Sequence, residues 1–373
     1  MSRAPAPTWT LAAVGDVMLE RPPAPDPLHA LLREADAAFA NLEAPLCDSG
    51  FPADKLITMR SDPAVAPALR ALGLRVVSFA HNHALDYGYP GLLQTLEVVR
   101  AAGVEVVGAG TTLADALRPA YTHTGGRRVA WLAFAATLPP GWAATPSRPG
   151  VAPIRVRVRF EADASVMEEQ PGTSPYVSTE VAPGDLDQAL AAVRAATREA
   201  DVVIASVHWG VPPGWAAPFQ GLLADYQQPL GRALVEAGAA AVLGHHPHTL
   251  HGVEVWRGRP ILYSLGNFIF HTMAEGRRFA LGRPAPPYRM EAVRPPELAH
   301  SALFRLEFTG DRCARITVHP AVADAAGEYR AAGAAQAPAI LDRMQTMCAA
   351  LGASLDVAGG VGRIEIASRR HPG

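Results

Sequence analysis

The fold and the candidate site are decided by residues 240–248, which read Ala-Ala-Val-Leu-Gly-His-His-Pro-His. An apolar run that ends at a glycine predicts a short buried strand entering a loop. Imidazoles gathered at a strand end can converge on one metal ion, since neutral histidine is a common ligand of Zn, Mn and Fe. Pro247 fixes one backbone angle between the flanking histidines and so partly sets their directions. The alternative is a polar loop with surface histidines.

Four other predicted strands also end in residues of the kind that bind metals. With the opening stretch, the strand-end set is Asp16, Glu43, Asn82, His83, His208, His246 and His248. The carboxyl ends of parallel strands meet at one edge of a sheet, where open α/β proteins place their ligands. Taken singly, Asp16 has the alternative of a helix N-cap and Glu43 that of a solvated loop carboxylate. Taken together, the residues predict a metal site.

The expected cofactor is one or two divalent ions, with Mn, Fe, Zn or Ca as candidates. The predicted ligands combine carboxylate, amide and imidazole groups, which suit Mn, Fe or Zn better than Mg or Ca. No thiolate site is predicted.

Strands and helices alternate through the first part of the chain, which predicts a layered α/β domain with mostly parallel strands. Antiparallel pairs are expected to close it. We expect one catalytic domain over 1–325, followed over 326–373 by a helix and a tail packed on it. Irregular insertions are predicted at about 139–183 and 274–298. Aromatic residues in the first favour a substrate lid, with a disordered insert as the alternative.

Composition excludes several classes of protein. The net charge is −2 over 373 residues and no basic block is present, which argues against a nucleic-acid partner. Cys47, Cys313 and Cys348 are widely spaced and predict neither a disulfide framework nor a zinc ribbon, so a reducing compartment is expected. No apolar run approaches the length of a transmembrane helix. We therefore expect a cytoplasmic protein without a membrane partner, whose oligomeric state the sequence does not predict.

Six short motifs lie in order within about residues 9 to 271. They are Gly15-Asp16-Val17-Met18, Asn41-Leu42-Glu43, Ala80-His81-Asn82-His83-Ala84-Leu85-Asp86-Tyr87-Gly88, His208-Trp209-Gly210, Gly244-His245-His246-Pro247-His248 and Tyr263-Ser264-Leu265-Gly266-Asn267-Phe268. Together they resemble the CapA family, which is linked to poly-γ-glutamate capsule synthesis and looks like calcineurin-type metallophosphoesterases. The resemblance implies a four-layer α/β/β/α sandwich with a metal site at the strand ends.

The resemblance also implies two metal positions joined by a bridging carboxylate. The first would be held by Asp16 and His248, the second by Asn82, His208 and either His246 or His245, and the bridge would be Glu43. His83 would lie near the reacting group as an acid or electrostatic stabiliser. Met18 stands where the superfamily usually has histidine, and a thioether replaces a hard-site ligand poorly. One position is therefore expected to be weak or empty. His81 stands where the family usually has asparagine.

Cα epimerisation of a residue in a ribosomal precursor peptide is the favoured interpretation. Some CapA-like proteins without a membrane anchor resemble epimerases of such peptides, including lasso-peptide precursors. A metal would polarise a carbonyl oxygen while two groups on opposite faces remove and return the Cα proton. Asp16 and His300 are the candidate pair, with His83 as a third catalytic residue. A surface histidine is the alternative for His300.

The remaining predictions concern the substrate and the competing functions. Trp142, Trp209 and Trp215 would suit a hydrophobic peptide segment, with ordinary packing as the alternative for the last two. The residues expected to contact the substrate are His81, Trp209, Trp215, His245 and Asn267. The alternative function is metal-dependent hydrolysis of a phosphoester or amide bond, or a role in poly-γ-glutamate capsule synthesis. A non-catalytic module that binds an acidic polymer is disfavoured by the number of ligand-type residues.

Overall fold

The computed structural model describes residues 8–55, 57–170, 172–173, 175–210, 223–271 and 296–366. The strands within them are β1 (Thr8–Met18), β2 (Ala37–Leu42), β3 (Val76–Ser78), β4 (Glu105–Val107), β5 (Ala109–Gly110), β6 (Ala120–Thr124), β7 (Arg127–Ala135), β8 (Gly150–Val151), β9 (Val156–Glu161), β10 (Tyr176–Val181), β11 (Val202–His208), β12 (Ala241–His245), β13 (Val253–Trp256), β14 (Arg259–Leu262), β15 (Asn267–Phe270), β16 (His300–Thr309), β17 (Arg312–Ala323), β18 (Tyr329–Ala331), β19 (Asp356–Ala358) and β20 (Val361–Glu365). The α-helices are α1 (Pro27–Glu34), α2 (Ala66–Ala71), α3 (Gly88–Ala101), α4 (Leu113–Ala116), α5 (Ala164–Glu169), α6 (Pro183–Ala196), α7 (Gln227–Glu236) and α8 (Ala337–Ala350).

The larger of the two main sheets is centred on β1. Its strand order is β19-β20-β17-β16-β1-β2-β3-β4, while β15 pairs with β1 and β18 with β17 outside this path. Strands β1 to β4 run parallel, and β16, β17, β20 and β19 extend the sheet in antiparallel fashion. Every residue of β2 is buried, as expected for a parallel strand covered on both faces.

The second sheet has the order β13-β14-β12-β11-β7-β6. Its four central strands are parallel, and the antiparallel strands β6 and β13 form its edges. Helices α6 and α7 pack on it, with Val193 and Leu234 in one apolar cluster with Leu132 and Val203. Strand β11 is buried over its whole length, as expected for a central parallel strand covered on both faces.

Side chains from the two sheets meet in one hydrophobic core. The rings of Phe39 in β2 and Trp131 in β7 stack with centroids 5.5 Å apart. Leu28, Leu69 and Leu96 from α1, α2 and α3 belong to the same cluster of buried residues. The protein is therefore a mixed α/β structure with two packed sheets, and the loops after their parallel strands can reach a common site.

Strand β1 continues beyond Asp16, so this residue lies within the strand and not after it. The register with β2 shifts just before Asp16, and a bulge of this kind redirects a side chain. At the shift, a Cβ on Gly15 would lie 1.9 Å from the carbonyl oxygen of Gly266. Asp16 then pairs with Asn267 of β15. The close backbone contact at Gly15 thus fixes the backbone of the neighbouring Asp16 against β15.

Two predictions of irregular structure are wrong in part. The segment 139–183 contains β8, α5 and the antiparallel pair β9–β10. The segment predicted as a helix and a tail contains α8, as expected, but also β18, β19 and β20, which belong to the large sheet. Alternation of apolar and polar residues predicts a strand only weakly when the strand is short and has no continuous apolar run. Both errors have this cause. Most of the predicted insertion at 274–298 lies outside the described residues.

Candidate metal centre

Ligand-type side chains from both sheets meet at the ends of the parallel strands. The large sheet supplies Asp16 in β1, Glu43 directly after β2, and Asn82 after β3; the second sheet supplies His208 at the end of β11, and His246 and His248 after β12. His246 and His248 have φ angles of 101° and 58°, a region that is sparsely populated by non-glycine residues. Strained backbone of this kind clusters at binding and catalytic sites.

Two groups of three ligand atoms share one carboxylate. The first consists of Asp16, Glu43 and His248, and the second of Glu43, His208 and His246, with the ligand atoms of each group within 4.8 Å of one another. Glu43 Oε1 lies 3.6 Å from His248 Nε2 and 3.7 Å from His208 Nε2. Ligand atoms about 2.1 Å from a common ion lie roughly 3 to 4 Å apart. Glu43 is therefore placed to bridge two ions.

Asn82 adds an oxygen to the second group. Its Oδ1 lies 2.8 Å from His208 Nε2, and His246 Nδ1 lies 3.1 Å from the same nitrogen. An amide oxygen, two imidazoles and a carboxylate form the mixed set that suits Mn, Fe or Zn. The first group has two carboxylates and one imidazole, so the two positions differ in charge.

Glu43 tests whether these residues fit a cation. Its side chain is fully buried, and within the described residues neither carboxylate oxygen accepts a hydrogen bond. A buried carboxylate without a partner is strongly unfavourable unless a cation or a proton neutralises it. The ligand atoms of both groups converge on these same oxygens, so the arrangement fits divalent ions on either side.

The two carboxylates of the site have opposite protonation behaviour. Burial, followed by the negative charge of Asp16, raises the pKa of Glu43 well above its ordinary value. Burial also acts to raise the pKa of Asp16, but hydrogen bonds and charges from His245 and His248 outweigh it and bring that pKa well below its usual value. Without a metal the site therefore favours a proton on Glu43, which an ion must displace.

The imidazoles of the second group are held neutral. Burial, followed by the charge of His246, lowers the pKa of His208 well below its ordinary value. Burial and the charge of His248 likewise lower the pKa of His246 to about 3. Only the neutral ring binds a metal, so these side chains are ready to act as ligands at neutral pH.

Polar residues behind the ligands fix their orientation. Asn41 Nδ2 donates to Asp16 Oδ1 at 3.0 Å and lies 3.4 Å from His208 Nδ1, while His245 Nδ1 lies 3.3 Å from the same Asp16 oxygen. Asn267 Oδ1 lies 2.9 Å from His248 Nδ1. His245 and Asn267 are fully buried. The structure therefore places these two predicted substrate contacts behind the ligands, where they support them.

A second cluster, formed by His83, Asp86 and Lys55, adjoins the ligands. His83 Nδ1 lies 2.7 Å from Asp86 Oδ2, and Lys55 Nζ donates to Asp86 Oδ1 at 2.7 Å. Burial lowers the pKa of His83, an effect that the charge of Asp86 opposes and that of His248 reinforces. His83 is therefore close enough to His248 for the two imidazoles to interact electrostatically. Asp86 belongs to the motif of residues 80–88, whereas no sequence motif marks Lys55, which is distinguished only as the single lysine of the sequence.

The order and spacing of these residues match a known family. The model of the bacterial capsule synthesis protein family, PGA_cap, matches residues 10–272. This range includes every ligand-type residue of both groups. The chain belongs to this family. The predicted CapA resemblance is confirmed.

Three curated relatives illustrate the range of the family. An uncharacterized protein of Sinorhizobium fredii is 30% identical over 308 residues, which cover 70% of this chain and 66% of that protein. The PGA biosynthesis protein CapA of Bacillus subtilis is 31% identical over 64% of this chain and 54% of its own length. A probable polyglutamine synthesis accessory protein of Mycobacterium tuberculosis is 35% identical over 63% and 55%. The chain thus spans about two thirds of the first relative and about half of the others.

Met18, which the resemblance places where the wider superfamily usually has histidine, is an apolar packing residue in the structure. Its side chain is buried in a small cluster with Ala44, Met59 and Phe270. The place where the superfamily has histidine is therefore filled by an apolar core residue, and the first group retains three ligands.

As for membranes, in the part of the chain with described structure no helix combines the length and apolar character needed to cross a bilayer.

Two further predicted substrate contacts are packing residues in this family member. His81 is fully buried, and its Nδ1 accepts a hydrogen bond from the His83 main chain at 3.1 Å. Trp209 is fully buried, donates to the carbonyl of Tyr263 at 2.8 Å and stacks on its ring. The prediction that His81 and Trp209 line the substrate pocket is therefore corrected. Trp215 lies outside the described residues.

No described hydrogen bond or ion pair joins the two residues of the predicted acid/base pair, Asp16 and His300. His300 begins β16 opposite Val322 of β17. Burial lowers its pKa, followed by the charge of Arg343, with Glu297 opposing. None of these neighbours belongs to the metal groups. The hydrogen bonds and ion pairs found for Asp16 in the described residues involve asparagine and histidines of the site but not His300.

Proposed function

We propose that this capsule synthesis family protein is a metal-dependent hydrolase of a phosphoester or amide bond. The observation that carries the proposal is the position of Glu43, a buried carboxylate without a hydrogen bond, between two groups of ligand atoms. Paired ions that share a ligand are typical of enzymes that add water to phosphoryl or acyl groups. The expected α/β/β/α layering agrees with helices packed against both sheets.

The chain's own residues divide the work of such a reaction. Divalent ions at the two positions supply Lewis acidity to an oxygen of the scissile group. Asp16, Glu43 and His248 hold one position, and the histidines of the other remain neutral because they are buried. The Asp16 carboxylate is held in place by Asn41 Nδ2, which donates to Asp16 Oδ1 at 3.0 Å.

His83 is the proton donor in this proposal. Its Nδ1 is engaged by Asp86, which leaves Nε2 as the nitrogen that can transfer a proton. The oxygen of water bonds to phosphorus or carbonyl carbon and gives one of its protons to Nε2, which is bare in the neutral ring because Nδ1–H donates to Asp86, while the bond to the leaving group breaks. The departing oxygen or nitrogen takes the proton from Nε2, so the charge on the leaving group is quenched.

The substrate class follows from the relatives. Two of them carry names that refer to PGA or polyglutamine synthesis, so we propose a peptide-like chain of glutamate or glutamine. Trp142 is nearly buried, and its ring lies beside Lys55, next to His83. Among the described residues, this position of Trp142 supports its proposed role as an aromatic wall for the substrate.

The test is hydrolysis in heavy-oxygen water by protein stripped with chelator and reloaded with Mn, Zn or Fe. An oligo-γ-glutamate and a phosphodiester serve as substrates, and mass spectrometry reads the products. We expect one heavy oxygen per cleaved bond, loss of turnover in Glu43→Gln, and full turnover in His300→Ala. Deuterium uptake at Cα of a peptide in heavy water, without cleavage, would overturn hydrolysis and restore epimerisation.

A further inference from the structure

Lys55 occupies an unusual position for the only lysine among 33 basic residues. Its side chain is 19% exposed. Its ammonium donates to the main-chain oxygen of Asn82 at 2.6 Å and to Asp86 Oδ1 at 2.7 Å. It also lies 3.3 Å from His83 Nδ1. The Lys55 ammonium thus contacts three residues of one turn. They are Asn82, a candidate metal ligand, His83, the proposed proton donor, and Asp86, the hydrogen-bond partner of His83.

The surroundings of Lys55 join loops from both sheets. Its own loop follows β2 and is tied to Asp86 by the main-chain amides of Ala53, at 2.7 Å, and Met59, at 2.6 Å. The ring of Trp142, from the loop after β7, lies 4.7 Å from the ammonium. Three segments therefore meet at one positive charge. A compact ammonium with three donors fits acceptors arranged around a point, whereas the planar guanidinium fork does not.

We propose that Lys55 is a positioning residue, which fixes the turn of residues 82–86 and thereby sets Asn82 for metal binding and His83 for proton transfer. This proposal rests on the proposed function of the metal site. A direct role in binding a substrate anion is disfavoured, because two of the three ammonium donors are engaged by protein oxygens and the Trp142 ring lies 4.7 Å from the ammonium. Residues that orient metal ligands typically change metal affinity by 10- to 100-fold when they are lost.

The first experiment measures Mn binding by titration calorimetry in Lys55→Met. The matched control is Arg232→Met, since Arg232 pairs with the buried Glu254 at 2.6 Å and lies over the Trp256 ring at 4.3 Å, in the same arrangement outside the metal site. We expect Mn affinity to fall at least 10-fold in Lys55→Met and to stay within twofold of wild type in Arg232→Met. Unchanged affinity in Lys55→Met, or an equal loss in both variants, would overturn the role of Lys55.

A second measurement uses wild-type protein and so does not depend on a variant that folds. The ε-amine of Lys55 is acetylated with an N-hydroxysuccinimide ester, with and without Mn, and peptide mapping compares it with the α-amine as an internal reference. If Lys55 supports metal binding, linkage requires that the metal protect Lys55, and we expect at least fivefold slower labelling. Equal rates would contradict the proposal. Wild-type protein that binds no Mn would instead overturn the proposed function itself.

Discussion

At the scale of single residues, Glu43 is expected to make stability depend on pH, since its carboxylate is buried beside that of Asp16. Its pKa in the folded protein is raised above the ordinary value of 4.5. For such a group the folded state binds the proton more tightly, so its contribution to stability is present below pH 4.5. That contribution is lost as the pH rises through the folded pKa. Metal-free protein should therefore carry an increasing penalty at this residue between weakly acidic and basic pH.

Replacing Glu43 by glutamine removes that penalty. In excess chelator, we expect the melting temperature of Glu43→Gln to fall less than that of wild type between pH 5 and 9. The slopes of unfolding free energy against pH should differ between the two proteins by at most about 1.4 kcal/mol per pH unit, the limit for one proton. Calorimetric melting curves at a series of pH values provide the measurement. Parallel curves for the two proteins would show that Glu43 titrates normally.

The ligand candidates were predictable from sequence, whereas their supports were not. Glu43 and His208 each follow or end a buried apolar strand, so their convergence follows from parallel topology. Lys55 stands in a loop without periodicity, and its contacts with the turn around Asp86 depend on how two loops fold over each other. The same limit applies to Trp209, because adjacency to a ligand does not reveal which face of the strand end its ring occupies.

At the scale of elements, the bulge in β1 links backbone geometry to the ligand set. We expect Gly15→Ala to destabilise the protein by about 3 kcal/mol or more, because the new Cβ would meet the carbonyl oxygen of Gly266. Any relief of the clash displaces Asp16 and so lowers metal content as well. Denaturant unfolding and metal analysis provide the readouts. The matched control is Gly184→Ala in α6, where a Cβ would meet no atom within 4 Å; equal losses in both variants would contradict the explanation.

The ribbon formed by β9 and β10 illustrates an element that the sequence signal missed. Its apolar residues remain on the surface, with Phe160 55% and Tyr176 66% exposed, so no core-facing pattern marks the strands. In register, Arg157 lies opposite Glu180. An Asn-Gly turn can therefore join these two residues directly.

Shortening the ribbon tests whether it is independent of the metal site. With residues 158–179 replaced by Asn-Gly, we expect a melting temperature within about 2 °C of wild type, since about 1 kcal/mol shifts the melting temperature of a protein of this length by little more than about 1 °C. Mn affinity should be unchanged. The comparison protein is wild type measured by the same calorimetry. A loss of Mn affinity would show that the ribbon supports the ligands and has been assigned the wrong role.

At the scale of the whole molecule, bound metal would tie the two sheets together. Asp16 and Glu43 come from one sheet, whereas His208 and His248 come from the other. A ligand present at 100 times its dissociation constant stabilises the folded state by about 2.7 kcal/mol. We expect Mn to raise the melting temperature of wild type by about 3 °C, and of Glu43→Gln by much less. An equal rise in both proteins would place the ion elsewhere.

Alternating strands and helices predicted an α/β protein, but not the order of its sheets. The predicted order of elements follows from local periodicity, whereas the pairing of β1 with β16 and of β17 with β20 joins distant parts of the chain. Strand order depends on which faces remain to be covered after each element packs, and a single sequence does not encode that locally. The tail prediction failed for this reason.

The pairing of β1 with β16 has a consequence for biosynthesis. Thr8 lies opposite Thr309, so the centre of the large sheet cannot close until some three hundred further residues have left the ribosome. At 5 to 20 residues per second this takes roughly 15 to 60 s. During that interval the apolar edge of β1 is open to chaperones and to neighbouring nascent chains. Slow translation of the messenger RNA, or close spacing of ribosomes on it, should therefore reduce the yield of folded protein. We expect this loss to exceed the loss caused by substitutions in the loops.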